Sequence, residues 1–200
     1  MLFKDRKEVG ARLAQVLRPQ APARDSLVVA LSRGGLLVAH EVAQALGARL
    51  EPFLVQMLER PRLAQQAFGA IALAASQDIG EEMRKVQRWA VWPARTGPPA
   101  RPAPGILDKW VILADDGTAT LTTMRAAATA LRWGRPRRLT MALPAITPQA
   151  QEALEAEADE IVTLVSPHLA EGLGAWYEDY TLPDDLTMTA LLAEADQWLN

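Results

Sequence analysis

Two hundred residues, half of them apolar and 22% charged, are enough for one α/β domain built round a single core. A formal net charge of −3 argues against a nucleic-acid surface, and the lack of cysteine excludes disulfides and thiolate metal sites. No run approaches the ~18 apolar residues of a membrane helix, and the opening Met1–Lys7 is charged at once. The expectation is a soluble, cytoplasmic protein with no membrane partner.

Asp5-Arg6-Lys7-Glu8 has the spacing of a capping box, and Val9, Leu13, Val16 and Leu17 then share a helical face. Pro19–Arg24 is a proline-broken connection. Ser26–Leu31 reads as a strand buried on both sides, because its apolar residues run on without alternating. Ser32-Arg33-Gly34-Gly35 reads as a tight loop before a helix over Leu36–Leu46, closed by Gly47. Arg49–Met57 and Phe68–Ala74 read as strands, Asp78–Trp89 as a weaker helix and Pro93–Pro104 as an irregular loop. Trp110–Ala114 is a strong strand and Thr122–Trp133 a helix. A strand at Arg138–Leu143, a helix at Pro148–Ala158 and a strand at Glu160–Val165 follow. The aromatic segment Trp176–Tyr180 and a helix from Asp184 to Leu199 complete the chain.

Strands alternating with helices predict an α/β fold, a parallel sheet with helices on both faces, in a single domain over residues 1–200. Such sheets take ligands beyond the carboxyl ends of their strands, which directs attention to the loops after Leu31, Ala114 and Leu143. Val111–Ala114 delivers two carboxylates, Asp115 and Asp116, to one such end. Gly117, Thr118, Ala119, Thr120, Leu121, Thr122 and Thr123 lead from there into a helix, a hydroxyl-rich N-terminus suited to an anion. Carboxylates repel a phosphate but suit sugar hydroxyls, so a ligand with a phosphate at one end and a diol nearby satisfies both halves. Ribose 5-phosphate is such a ligand. Both acids are expected exposed at the strand end, so that changing them to asparagine costs ligand affinity and little of the fold.

This segment resembles the phosphoribosyl-pyrophosphate signature of type I phosphoribosyltransferases. Val29–Gly35 is similar to that family's pyrophosphate loop, Phe68–Ala72 to the strand before its mobile loop, and Gly174–Tyr180 to the hood that receives the base, within a hood of about 166–185. The resemblance implies a type I phosphoribosyltransferase fold with a small hood. It also implies transfer of phosphoribose from phosphoribosyl pyrophosphate to a nitrogenous, purine-like base with release of pyrophosphate. Asp115 and Asp116 would bind the ribose hydroxyls and Gly117–Thr123 the 5-phosphate. Ser32, Arg33, Gly34 and Gly35 would hold the pyrophosphate, with Arg33 meeting the departing charge, and Trp176 and Tyr177 would receive the base. Mg2+ would arrive with phosphoribosyl pyrophosphate, and the family often dimerises.

The chain departs from the family pattern in three places. Leu121 and Thr122 stand where a glycine usually follows the threonine. Gln56-Met57 replaces an Arg-Lys pair. The Ser76–Pro104 region is short and proline-rich, with Arg84, Lys85, Arg88, Arg95 and Arg101 as its cations. These departures give the alternative: a catalytically degenerate module that binds phosphoribosyl pyrophosphate or a nucleotide and regulates. A dehalogenase-type phosphatase is excluded, because its nucleophilic carboxylate would fall at Ala114. A Rossmann reading fails for want of Gly-x-Gly-x-x-Gly. His40 and His168 lack partners at metal spacing and read as structural.

Overall fold

Strands that are apolar at every position need cover on both faces, and here they have it. The computed structural model describes residues 3–20, 25–52, 105–117, 121–167 and 176–198. Five parallel strands, β1 (Ser26–Ala30), β2 (Arg49–Pro52), β3 (Trp110–Ala114), β4 (Arg138–Ala145) and β5 (Glu160–Val165), pair in the order β2-β1-β3-β4-β5. Helix α1 (Arg6–Leu17) precedes β1, and α2 (Arg33–Leu46) links β1 to β2. Helices α3 (Leu121–Trp133) and α4 (Pro148–Leu154) follow β3 and β4, and α5 (Asp185–Gln197) comes last.

Alternate residues of each strand serve different cores. Val28, Ala30, Ile112, Ala114 and Ala142 face α1, α2 and α5, where Val9, Leu13, Val42, Leu46 and Met188 meet them. Leu27, Val29, Val111, Leu113 and Met141 face α3 and α4, against Met124, Ala128, Leu131 and Leu154. The connection from β1 passes over one face to its left-hand neighbour, and that from β3 over the other face to its right-hand neighbour. Reversing both face and direction keeps each crossover in the same, right-handed sense.

Caps mark the helices. Asp5 accepts from the Glu8 amide at 2.8 Å, and Glu8 turns back to the Lys4 amide at 2.6 Å, one residue short of the reciprocal capping-box contact. Val16, expected on the buried face of α1, is exposed; the buried stripe holds Arg6, Val9, Gly10, Leu13, Ala14 and Leu17 instead. The Ser32–Gly35 stretch is not a separate loop. Ser32 is the N-cap of α2, its hydroxyl accepting from the Gly35 amide at 2.9 Å, and Arg33, Gly34 and Gly35 form the first turn. Strand β4 runs to Ala145, two residues past the expected end, and α4 stops at Leu154. The elements expected over 68–104, and with them Arg84, Lys85, Arg88, Arg95 and Arg101, lie outside the described residues, as do Gln56-Met57 and His168.

Candidate functional site

The chain reverses its direction of travel across the sheet between β1 and β3. From β1 it proceeds to β2 on one side; from β3 it proceeds to β4 and β5 on the other. Open α/β sheets bind ligands in the crevice at such a switch point, beyond the carboxyl ends of the strands. Ser26–Ala30 and Trp110–Ala114 are in register along their whole lengths, so Leu31-Ser32 and Asp115-Asp116 emerge side by side. The Ser32 hydroxyl donates to Asp115 Oδ1 at 2.5 Å and lies 3.2 Å from Asp116 Oδ1. The two segments singled out from sequence therefore meet, and α2 begins at the junction with the positive end of its dipole.

The carboxylates are not exposed as expected. Asp115 and Asp116 are both 0% exposed. Asp115 accepts from Ser32 through one oxygen and from the Gly117 amide through the other, at 2.8 Å. Gly117 makes this turn at φ 90°, a backbone region that a side chain disfavours. Asp116 is held by a residue absent from the sequence-based set: Arg6, 2% exposed, whose Nε donates to Asp116 Oδ2 at 2.7 Å. A buried guanidinium supplies the counter-charge that lets a carboxylate sit in the interior. Arg6 also donates through Nη1 to the Thr181 carbonyl at 3.1 Å. Its guanidinium carbon lies 5.2 Å from the Tyr177 ring centroid and 4.5 Å from that of Tyr180.

Gly34 makes this arrangement possible. A Cβ there would sit 1.8 Å from Asp116 Oδ2 and 2.6 Å from Arg6 Nε. The neighbouring Gly35 also packs tightly on the end of β3, where an added Cβ would come within 3.1 Å of the Ala114 carbonyl. The space these glycines leave is filled by the protein's own ion pair and strand end.

Arg33 lies at the rim. Its Nη2 donates to Asp185 Oδ1 at 2.5 Å and its Nη1 to the Pro183 carbonyl at 3.4 Å, with 45% of its side chain exposed. Leu121 opens α3 and keeps 38% of its surface exposed, so it is not packed into the interior. Thr123 is buried, and Thr118, Ala119 and Thr120 lie outside the described residues.

Trp176 and Tyr177, expected to receive a base, are packed inside at 8% and 2% exposure. The cause is a backbone tie to the start of the chain: Phe3 N donates to the Trp176 carbonyl, and the Glu178 amide to the Phe3 carbonyl, both at 2.9 Å. Phe3 then packs against the Tyr177 ring at a 5.8 Å centroid distance, and the Tyr177 hydroxyl donates to the Asp116 carbonyl at 2.9 Å. Burial, and then the nearby Asp116 charge, push the Tyr177 phenol well above its ordinary pKa; the same two causes raise Tyr180. Tyr177 is thus a core residue that braces the site from behind.

Arg6 carried one signal in the sequence. With Gly10, Leu13 and Leu17 it follows the i, i+4, i+7, i+11 spacing of the buried stripe of α1, a lone charge on an apolar face.

A parallel sheet with acids and a capped helix start at its switch point is an open α/β domain whose strand ends carry the candidate site. The chain belongs to the phosphoribosyl transferase domain family, whose model matches residues 3–174. It is 32% identical over 217 aligned positions to two Mycobacterium tuberculosis proteins, of strains CDC 1551 / Oshkosh and ATCC 25618 / H37Rv, that carry the provisional name phosphoribosyl transferase. The match covers 97% of this chain and 47% of those proteins, so the chain spans about half their length. The crystal structure of TT1426 from Thermus thermophilus is also similar, with a TM-score of 0.72 and 32% identity. There the match covers 97% of this chain and 99% of that one. Among the described residues, no helix is long and apolar enough to cross a membrane.

Proposed function

We propose that this domain binds phosphoribosyl pyrophosphate at the β1–β3 switch point and transfers its phosphoribose to a nitrogenous base. The observation that supports this most is the direct contact of Ser32 with Asp115, which joins the pyrophosphate-loop and ribose segments into one site. In the reaction, a base nitrogen forms a bond to the anomeric carbon while the bond from that carbon to the pyrophosphate oxygen breaks. Pyrophosphate departs with the electron pair. The transition state carries positive charge on the sugar and growing negative charge on the leaving group, so fixed geometry and local charge decide the rate.

The 5-phosphate is assigned to residues Gly117–Thr123, which lead into α3, and the pyrophosphate to the start of α2 over Ser32–Gly35. Arg33 is the cation for the departing charge. Its ion pair with Asp185 is exposed on both sides, and such pairs contribute only about 0–1 kcal/mol, so the guanidinium exchanges partners at little cost. Mg2+ enters as part of the substrate. The oxygens of Asp115 and Asp116 already accept from protein donors, which leaves the ion to the substrate's own oxygens. With Trp176 and Tyr177 packed inside, the purine-like reading of the base loses its stacking pair; Tyr180 is the exposed aromatic of that segment.

The test is to incubate the protein with Mg2+, phosphoribosyl pyrophosphate and a panel of bases, and to follow pyrophosphate release. Release with one base is expected; none with any base, from folded protein, refutes the transferase. The burial of both carboxylates favours a second reading, a module that binds the same ligand without turnover. Calorimetric binding without pyrophosphate release would select it.

A further inference from the structure

We propose that the domain self-associates end to end: the basic turns at the amino ends of β3 and β4 in one copy dock on the acidic 178–187 segment of another. This goes beyond the proposed function and does not depend on what the site binds.

Charge is divided along the chain. All 21 Lys and Arg lie at or before Arg138, and the residues after it carry twelve Asp and Glu and no Lys or Arg. Folding cancels part of the imbalance, because Arg125, Arg132 and Arg138 meet Glu157, Asp159 and Glu160. Two surfaces are left over, at opposite ends of the sheet.

The first is built from the turns 105–109 and 134–137, which lead into β3 and β4. Backbone bonds lock the turns together: the Asp108 amide donates to the Arg135 carbonyl at 3.1 Å, and the Arg137 amide to the Lys109 carbonyl at 2.9 Å. Arg138 reaches Gln20 at 2.9 Å, which brings the end of α1 and Arg18 to the same end of the sheet. Leu107 is 63% exposed there. Among the described residues Arg18, Lys109, Arg135 and Arg137 have no ion pair, and the acids of this end are Asp25 and Asp108. Arg135 has φ 53°, a conformation in which glycine or asparagine usually ends a helix. An arginine held there spends backbone energy to keep its guanidinium on the surface.

The second surface lies at the carboxyl end, where Arg33 bonds to Pro183 and Asp185 and Arg6 to Thr181. It carries Glu178, Asp179, Asp184 and Asp185, of which Arg33 pairs with one. Tyr180, Leu182 and Leu186 among them are 38%, 51% and 81% exposed. Bonds with Thr181 and Thr187 hold the Asp179 and Asp184 carboxyls below their ordinary pKa, so both stay charged at neutral pH.

Each surface therefore joins exposed leucine to charge of one sign, and the signs are opposite. Docking one on the other supplies the counter-charges that the monomer lacks and takes Leu107, Leu182 and Leu186 out of water. Because the surfaces sit at opposite ends, the contact is heterologous, and each docked copy offers its own unused end to a further one.

The test is sedimentation of the full chain up to about 1 mM, in about 50 mM and about 1 M salt, where the screening length shrinks to ~3 Å. The mean mass should rise with concentration in low salt and return to that of the monomer in high salt. Arg135→Glu with Arg137→Glu spoils the basic end, and Glu178→Lys with Leu186→Lys the acidic end; each should weaken association about ten-fold or more. Leu107→Ser, which alters one exposed side chain, should weaken it in the same direction and serves if a charge variant fails to fold. An equal mixture of the two charge variants keeps one good end of each kind and should form a one-to-one complex that grows no further. Wild-type protein that stays monomeric in low salt overturns the proposal. So does association that persists in either folded charge variant or in Leu107→Ser, association indifferent to salt, or a mixture that stays monomeric.

Discussion

Replacing Arg6 with methionine removes a charge and keeps most of the chain length of the side chain. Asp116, 0% exposed, then loses its guanidinium partner at 2.7 Å, and the Tyr177 and Tyr180 rings lose the cation beside them. Breaking a buried pair from one side costs about 3–5 kcal/mol, because the remaining charge is stranded. For a domain of this length each kcal/mol shifts the unfolding temperature by about 2–4 °C, so a drop of roughly 6–20 °C is expected. Circular dichroism on heating, with urea unfolding at fixed temperature as a second measure, reads it. Arg12→Met on the same helix is the control: Arg12 pairs with Glu8 at 3.5 Å and lies 5.1 Å from the Phe3 ring centroid, its side chain well exposed, and each such contact contributes about 1 kcal/mol or less. Changing Arg6 to Met together with Asp116 to Leu removes both charges and should recover most of the loss. If Arg6→Met and Arg12→Met destabilise equally, Arg6 is not the buried tie described here.

Three further expectations are independent of ligand. Gly34→Ala should cost more than about 2 kcal/mol in urea unfolding, since its Cβ lands 1.8 Å from Asp116 Oδ2, whereas Gly105→Ala meets nothing within 4 Å and should stay within about 0.5 kcal/mol. The chain's two tyrosines, Tyr177 and Tyr180, both lie against the site, and both phenols are raised above their ordinary value of about 10. Phenolate absorbance should therefore appear late on alkaline titration, Tyr180 before Tyr177. Folding holds Tyr177 protonated, so stability is full below about pH 10 and declines as pH rises through its elevated pKa; a folded protein titrating both at pH 10 contradicts the packing. Asp159, bonded to Arg132 and to the Leu139 amide, has its pKa lowered, first by the Arg132 bond. Its contribution is present above the usual carboxylate range and lost as pH falls through the depressed value. Asp159→Asn should thus be less stable than wild type at pH 7, with the gap closing as pH falls through the depressed value.

The sheet was legible because full burial leaves a plain trace. Trp110–Ala114 and Glu160–Val165 have the boundaries their apolar runs imply, and the parallel order follows from intervening helices. The pairing of Ser32 with the Asp115 loop was legible only as two segments; register across β1 and β3 joined them. Ser32–Gly35 read as a loop because two glycines usually break a helix, yet here the glycines are what the crowded first turn of α2 requires. The burial of Asp115 and Asp116 could not be read locally, since the group that neutralises Asp116 lies 110 residues away on α1. The burial of Trp176 and Tyr177 was illegible for a similar reason: an aromatic pair has the same composition whether it stacks a ligand or packs beside Phe3.

The Arg6 tie also has a consequence for biosynthesis. Arg6 is synthesised 110 residues before Asp116, and Tyr177, Tyr180 and Thr181 come later still. Until then the cation on α1 has no finished enclosure, so this end of the sheet is completed only once the 177–181 segment has been made. Contacts of such sequence separation form slowly, so this enclosure is a late event in folding.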